Sequence, residues 1–256
     1  MGDINTDPMP TGWVHPLDYL DTHFPGDTLH RYVQAHVDLD HMRGLSELLS
    51  RRKVRYIWLP AGSEAAPRGA SGSDVIERST YDRLCRGEVA GVQVISPASR
   101  QDPGSIDRYW LEGLSVVMPT RGLMELARVA DGVAPPSYIL GMDYQGVRVL
   151  LAGQVRREMW PTAVRDQAET LRCTILYASH PLSDVELSFN AQPHGPGLDL
   201  MRPSQVVLSS DPRCETDVTR AYRDRGAKVI SLNQSPVVIL RIDSTGERTI
   251  ECGPAA

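Results

Sequence analysis

Two imidazoles and two carboxylates fall within six residues, in the run His36-Val37-Asp38-Leu39-Asp40-His41. Imidazole nitrogen and carboxylate oxygen are the donors that Zn²⁺ prefers, and Mn²⁺ accepts the same set. On a turn, side chains at alternate positions converge on one point, so this spacing suits a cation. The same residues admit a plainer reading, with Asp40 as a helix N-cap and the histidines as surface groups. The run follows a β-rich stretch and opens a helical pattern. It therefore occupies the turn at a strand's end, where sites on open α/β sheets collect.

The elements that must position this turn are readable from periodicity. A first strand is expected at Arg31 to Ala35. A helix is expected from His41 to Arg52, with Met42, Leu45, Leu48 and Leu49 on one stripe. Strands follow at Val54 to Leu59, Val92 to Ser96 and Leu114 to Met118, with helices over 74–86 and 121–130. The stretches 61–73 and 97–112 read as loops, the second carrying Asp107, Tyr109 and Trp110 as pocket-mouth candidates or as aromatics pinning the loop. Tyr138 to Tyr144 and Val147 to Leu151 flank Gln145-Gly146, which predicts a hairpin with a two-residue turn. Trp160-Pro161 opens a helix to Arg172. Strands at Thr174 to Ala178 and Val206 to Ser209 precede a helix from Asp211-Pro212 to Gly226. Strands at Lys228 to Ser231, Val237 to Asp243 and Arg248 to Glu251 close a layered α/β chain without a readable linker.

Composition sets the outer bounds. The 256 residues, 41% apolar and 23% charged, suit one globular domain, expected here over residues 1–256. No apolar run reaches the length of a membrane span, and the polar, acidic start shows no signal peptide, so the expected compartment is the cytoplasm. The four cysteines, Cys85, Cys173, Cys214 and Cys252, have neither disulfide-framework nor zinc-ribbon spacing. A net charge of -5 gives no general attraction to nucleic acid. The basic strip Arg51, Arg52, Lys53, Arg55 reads as a solvated helix end whose cations suit the helix dipole, or as a phosphate contact. His15, His23 and His30 lack ligand spacing. There is no Gly-rich phosphate loop, nucleophile elbow or Cys/His pair.

His36-x-Asp38-x-Asp40-His41, followed by Gly44-Leu45, resembles the metal-binding signature of metallo-β-lactamase-fold hydrolases. It is most similar to the branch of the ComEC-like competence proteins, where the second position is often Asp. Tyr138 to Gly153 resembles the hairpin before that family's bridging aspartate. Leu176 to His180 resembles the strand leading to its paired histidines, and Leu200 to Pro203 through Gly226 its closing βαβ segment. The resemblance implies a four-layer αββα sandwich, here without a counterpart of the N-terminal edge hairpin. An edge left open in that way would suit a homodimer or a partner protein. It further implies His36 and Asp38 on one metal, Asp40 and His41 on a second, and His180 completing the second site. Asp40 and His36 would be the groups closest to catalysis, on a phosphodiester, another phosphorylated small molecule or a nucleic-acid fragment, through a metal-activated water.

The family pattern is broken in three places. Its bridging aspartate falls on Gln154, a neutral amide that cannot screen two cations from each other. Its paired histidines appear as Ser179-His180-Pro181, and His194 lies too far downstream to follow a strand directly. No histidine lies between His41 and His180. The expected cofactor is therefore one Zn²⁺, or Mn²⁺ in its place, or no metal at all. A hydrolase with one metal and a catalytically inactive pseudoenzyme that serves as a binding or regulatory module are both open.

Overall fold

The structure is a computed structural model, and it describes residues 6, 14–26, 28–60, 73–99, 113–129, 136–152, 160–178, 196–208, 215–232 and 237–253. The chain packs as two compact units, residues 1–97 with 121–137, and residues 98–120 with 138–256. Both mix helices with strands, so the class is α/β as expected.

The first unit begins with helix α1 (Pro16–His23) and strand β1 (Thr28–Val33). After a 3-10 turn at Leu39–His41 come α2 (Leu45–Arg51), β2 (Lys53–Trp58), α3 (Ser73–Cys85) and β3 (Gln93–Ile95), and α4 (Arg121–Val129) belongs to the same unit. The strands form a parallel sheet in the order β1-β2-β3, with Val33 opposite Trp58 and Trp58 opposite Ile95. Strand β1 starts earlier than the expected Arg31 and ends at Val33 rather than Ala35, because beyond Gln34 the chain leaves the ladder. The expected helix from His41 to Arg52 is also corrected. Gly44 sits at φ +105°, a left-handed conformation that ends the 3-10 turn and restarts the chain as α2. The predicted stripe survives this break: Met42, Leu45 and Leu48 are fully buried beside Tyr32, Ile57 and Tyr81. Burial of each leucine stabilises the unit by about 1.5–3 kcal/mol.

Helix α2 carries no side-chain cap of its own. The cap comes from α3: Glu77, 7% exposed, accepts from Gly44 N at 3.0 Å, Ser46 N at 2.8 Å and Ser46 Oγ at 2.7 Å. One carboxylate thus satisfies two backbone donors that the first turn of a helix leaves open. Beside it, Arg43 holds Asp74 through Nε at 2.9 Å. That guanidinium keeps the Asp74 carboxyl below its ordinary range.

Two cations of the basic strip, Arg51 and Arg52, are engaged in ion pairs. Arg51 donates to Asp18 at 2.7 Å and Glu47 at 2.9 Å and also pairs with Asp21, while Arg52 reaches Asp21 and the Phe24 carbonyl. These pairs tie α1 to the end of α2, where Arg51 lies exposed in the last turn as the helix-end reading expects. Arg52, more than Arg51, holds the Asp21 carboxyl below its ordinary range. The exposed Arg51 pairs contribute little individually.

The second unit is built on a six-stranded sheet in the order β4 (Leu114–Met118), β5 (Ile139–Tyr144), β6 (Val147–Ala152), β7 (Ile175–Ala178), β8 (Gln205–Leu208) and β9 (Lys228–Ser231). The first three strands pair antiparallel and the last four parallel. Parallel neighbours need crossovers, supplied by α5 (Trp160–Leu171), α6 (Pro196–Met201) and α7 (Glu215–Arg223). The predicted hairpin is present: Gln145 and Gly146 both take positive φ, 48° and 75°, as a type I′ turn requires. Helix α7 is described from Glu215, so the expected cap at Asp211-Pro212 lies outside the described residues. Helix α6 was not expected. A two-stranded antiparallel ribbon, β10 (Val237–Ile242) and β11 (Arg248–Gly253), lays Leu240 and Ile242 against Val147, Val149 and Ile175. No helix among the described residues is long and apolar enough to cross a membrane.

Two outcomes test this packing. Replacing Glu77 by Ala removes the borrowed cap and is expected to lower unfolding free energy by about 2 kcal/mol, with Gln losing about half as much. An unchanged urea midpoint for the alanine variant would refute the capping role. Burial also pushes the Cys173 thiol up to about 12. Its folded form keeps the proton, so stability falls as pH rises above the ordinary thiol range. At pH 8, iodoacetamide with peptide mapping should modify the exposed Cys252 and leave Cys173 unlabelled until urea unfolds the chain.

Candidate metal centre

The turn between β1 and α2 is built outward from a buried amide. Tyr32 and Gln34 lie two apart on one face of the strand end, and both are 0% exposed. The Tyr32 hydroxyl donates to Gln34 Oε1 at 2.6 Å. Gln34 Nε2 donates to the carbonyls of His36 and His41, each at 2.8 Å. One nitrogen therefore holds the first and last residues of the His36–His41 run. The backbone between them closes as the 3-10 turn, with His41 N on Asp38 O at 3.0 Å and Met42 N on Leu39 O at 3.1 Å.

His36 is itself buried, and both ring nitrogens have partners. Nδ1 meets Ser137 Oγ at 2.8 Å, and Nε2 meets Asp38 Oδ2 at 2.9 Å. The His41 ring stands edge-on to it, with centroids 5.4 Å apart. The row Ser137–His36–Asp38 has the composition of a nucleophilic triad but runs the wrong way. Its hydroxyl is 0% exposed, whereas the Asp38 side chain is 45% exposed. A nucleophile must meet substrate, so Ser137 holds the ring in place and attacks nothing.

The pair His36 Nε2 and Asp38 Oδ2 fits a cation in its chemistry and nearly in its spacing. Neutral imidazole carries one N–H and one lone pair. With its N–H on Nε2 the ring donates to Asp38; with the N–H on Nδ1 shared with Ser137, the Nε2 lone pair faces the carboxylate, and a cation between them would satisfy both. Two ligands at tetrahedral zinc distances stand about 3.3 Å apart, so a small opening of the 2.9 Å pair admits an ion. A hydrogen bond from the second ring nitrogen is what ligating histidines ordinarily have. Among the described residues no group of three or more His, Cys, Asp or Glu side chains is placed to hold an ion. The described geometry brings two potential donors, one imidazole and one carboxylate, together.

The expected ligands fare as follows. His36 and Asp38 are brought together, and the His41 ring is adjacent to His36. Asp40 has its backbone in the 3-10 turn. Gln154, Ser179, His180, Pro181 and His194 lie outside the described residues, as do Asp107, Tyr109, Trp110 and Asp211. His15 lies 3.8 Å from Glu47, His23 packs on Tyr19, and His30 meets Tyr56. Gln34, Ser137 and Glu77 were not picked out from sequence. A polar residue two positions after Tyr32 on a buried strand face was the one available signal, for Gln34. Ser137, distant in the chain, gave none.

No family model and no curated protein matches the chain. Solved structures to which it is similar include a single-site mutant of the CmlA beta-hydroxylase, at TM-score 0.49 and 13% identity over 89% of this chain and 48% of that one. Another is CmlA, described as a diiron beta-hydroxylase from Streptomyces venezuelae, at TM-score 0.44 and 11% identity over 88% of this chain and 48% of that one. The chain spans about half the length of these proteins.

Replacing Ser137 by Ala leaves a buried ring nitrogen of His36 without its partner. The expected loss is about 1–2 kcal/mol of unfolding free energy, read from urea denaturation followed by circular dichroism. A variant as stable as the parent would mean that this hydroxyl does not support the ring.

Proposed function

We propose that this chain is a metal-dependent hydrolase of the metallo-β-lactamase type, working with one divalent cation on a phosphodiester or other phosphorylated substrate. The observation that carries the reading is the His36 Nε2–Asp38 Oδ2 pair, set at near-ligand spacing on a braced turn. The motif supports the type and, through Asp38 at its second position, the likeness to the competence-protein branch. His36 and Asp38 would hold the ion, with Asp40, His41 and His180 as further donors, and Zn²⁺ or Mn²⁺ suits that set. A cation there supplies a water acidic enough to attack near neutral pH and polarises a phosphoryl or carbonyl oxygen. Ser137 would hold the His36 ring in place, and the half-exposed Asp38 would mark the side from which substrate approaches.

The second reading is a binding or regulatory module without chemistry. Gln154 at the bridging position and Ser179 in place of a histidine favour it. Metal analysis for zinc, manganese and iron separates the possibilities, together with cleavage of bis(4-nitrophenyl) phosphate. The hydrolase reading expects about one ion per chain, metal-stimulated cleavage, and loss of both in Asp38→Ala and His36→Ala variants that remain folded. It expects Gln154→Asp to raise occupancy. Stoichiometric metal without cleavage would favour the module, and absence of metal from both the parent and Gln154→Asp would dispose of the metal site.

A further inference from the structure

We infer that Gln34 is the positioning residue of the cation site, a role that rests on the metal-binding reading above. Its orientation is forced by chemistry. The carbonyls of His36 and His41 can only accept, so the amide nitrogen must face both, and the Tyr32 hydroxyl donates to the oxygen left over. Nε2 thereby spends both protons, and Oε1 has its donor.

The two carbonyls belong to the ends of the segment that carries every ligand candidate of the first loop. Held by one nitrogen at 2.8 Å each, they fix the span of that segment before an ion arrives. Ser137 acts differently, on the His36 ring alone. In these hydrogen bonds Gln34 acts on backbone carbonyls, not on a ring or a carboxylate. Of the other side chains of similar length, Glu would set a carboxylate against two carbonyl oxygens, and Met would leave both carbonyls without a buried donor. A residue that merely plugs the sheet end would change stability alone. One that presets the turn also changes how tightly and in what geometry the ion is held.

Co²⁺ is a suitable probe because its visible absorption reports coordination geometry. Titrations are compared for the parent, Gln34→Met, Tyr32→Phe and Glu77→Gln, all well below their unfolding midpoints. The Tyr32 variant removes the donor that orients the amide, and the Glu77 variant weakens the fold on the far side of the turn. The expected result is about tenfold weaker Co²⁺ binding in Gln34→Met, with a fainter and shifted visible band, and a smaller loss in Tyr32→Phe. Glu77→Gln should unfold earlier yet bind Co²⁺ as the parent does. If Gln34→Met does not fold, Tyr32→Phe decides the matter alone. Parent-like affinity and spectrum in the Gln34 and Tyr32 variants would overturn the positioning role and leave the metal site standing. A parent chain that takes up no Co²⁺ removes the metal reading itself, and the role of Gln34 with it.

Discussion

A backbone that leaves a sheet must find new partners for the carbonyls it takes out of the ladder. At the end of β1 that requirement falls on a single buried carboxamide. Gln34 still donates its own backbone N–H to Trp58 O at 2.9 Å, and its side chain then serves the two carbonyls that follow. Leaving either carbonyl unserved in the interior would cost about 1–3 kcal/mol. The turn is therefore narrow in conformation for a reason independent of any ion. The chemistry-bearing residues inherit that narrowness.

The far side of the turn is braced by different physics. Gly44 supplies a left-handed φ, Glu77 from α3 accepts from the backbone donors that the break exposes, and Asp74 beside it holds the Arg43 guanidinium. The Glu77 contacts are shielded, in contrast to the exposed Arg51 pairs with Asp18 and Glu47, which solvent and salt weaken. The carboxylate fixes where α2 begins, and the amide fixes the span of the His36–His41 run itself. Atoms that must be held to fractions of an ångström depend on the second kind of support.

What could be read from the sequence follows the range of each signal. The Gln145-Gly146 hairpin is local, since two positive φ values and flanking apolar runs define it, and it was found where expected. The apolar stripe of Met42, Leu45 and Leu48 was also legible, but it spanned a break that periodicity cannot see. Only the left-handed Gly44 divides it into a 3-10 turn and α2. Strand β1 was misplaced because its first residues, Thr28 and His30, are exposed and resemble loop. Their strand character comes from parallel pairing with β2. At the site, His36 and Asp38 announced themselves by alternate spacing. Ser137 and Glu77 did not, because their roles arise only when distant segments meet.

Charge counting narrows what such a turn can hold. The His36–His41 run carries two carboxylates, Asp38 and Asp40, and the position that resembles a bridging aspartate is the neutral Gln154. One divalent ion balances two carboxylates. A second, a few ångströms from the first, would add strong repulsion with no anion between them, and in a partly buried setting that repulsion is screened far less than in water. Imidazole ligands relieve none of it, because they are neutral when they bind. On the reading proposed here a single ion is thus the electrostatic limit of this loop. A carboxylate restored at position 154 is the smallest change that would lift it.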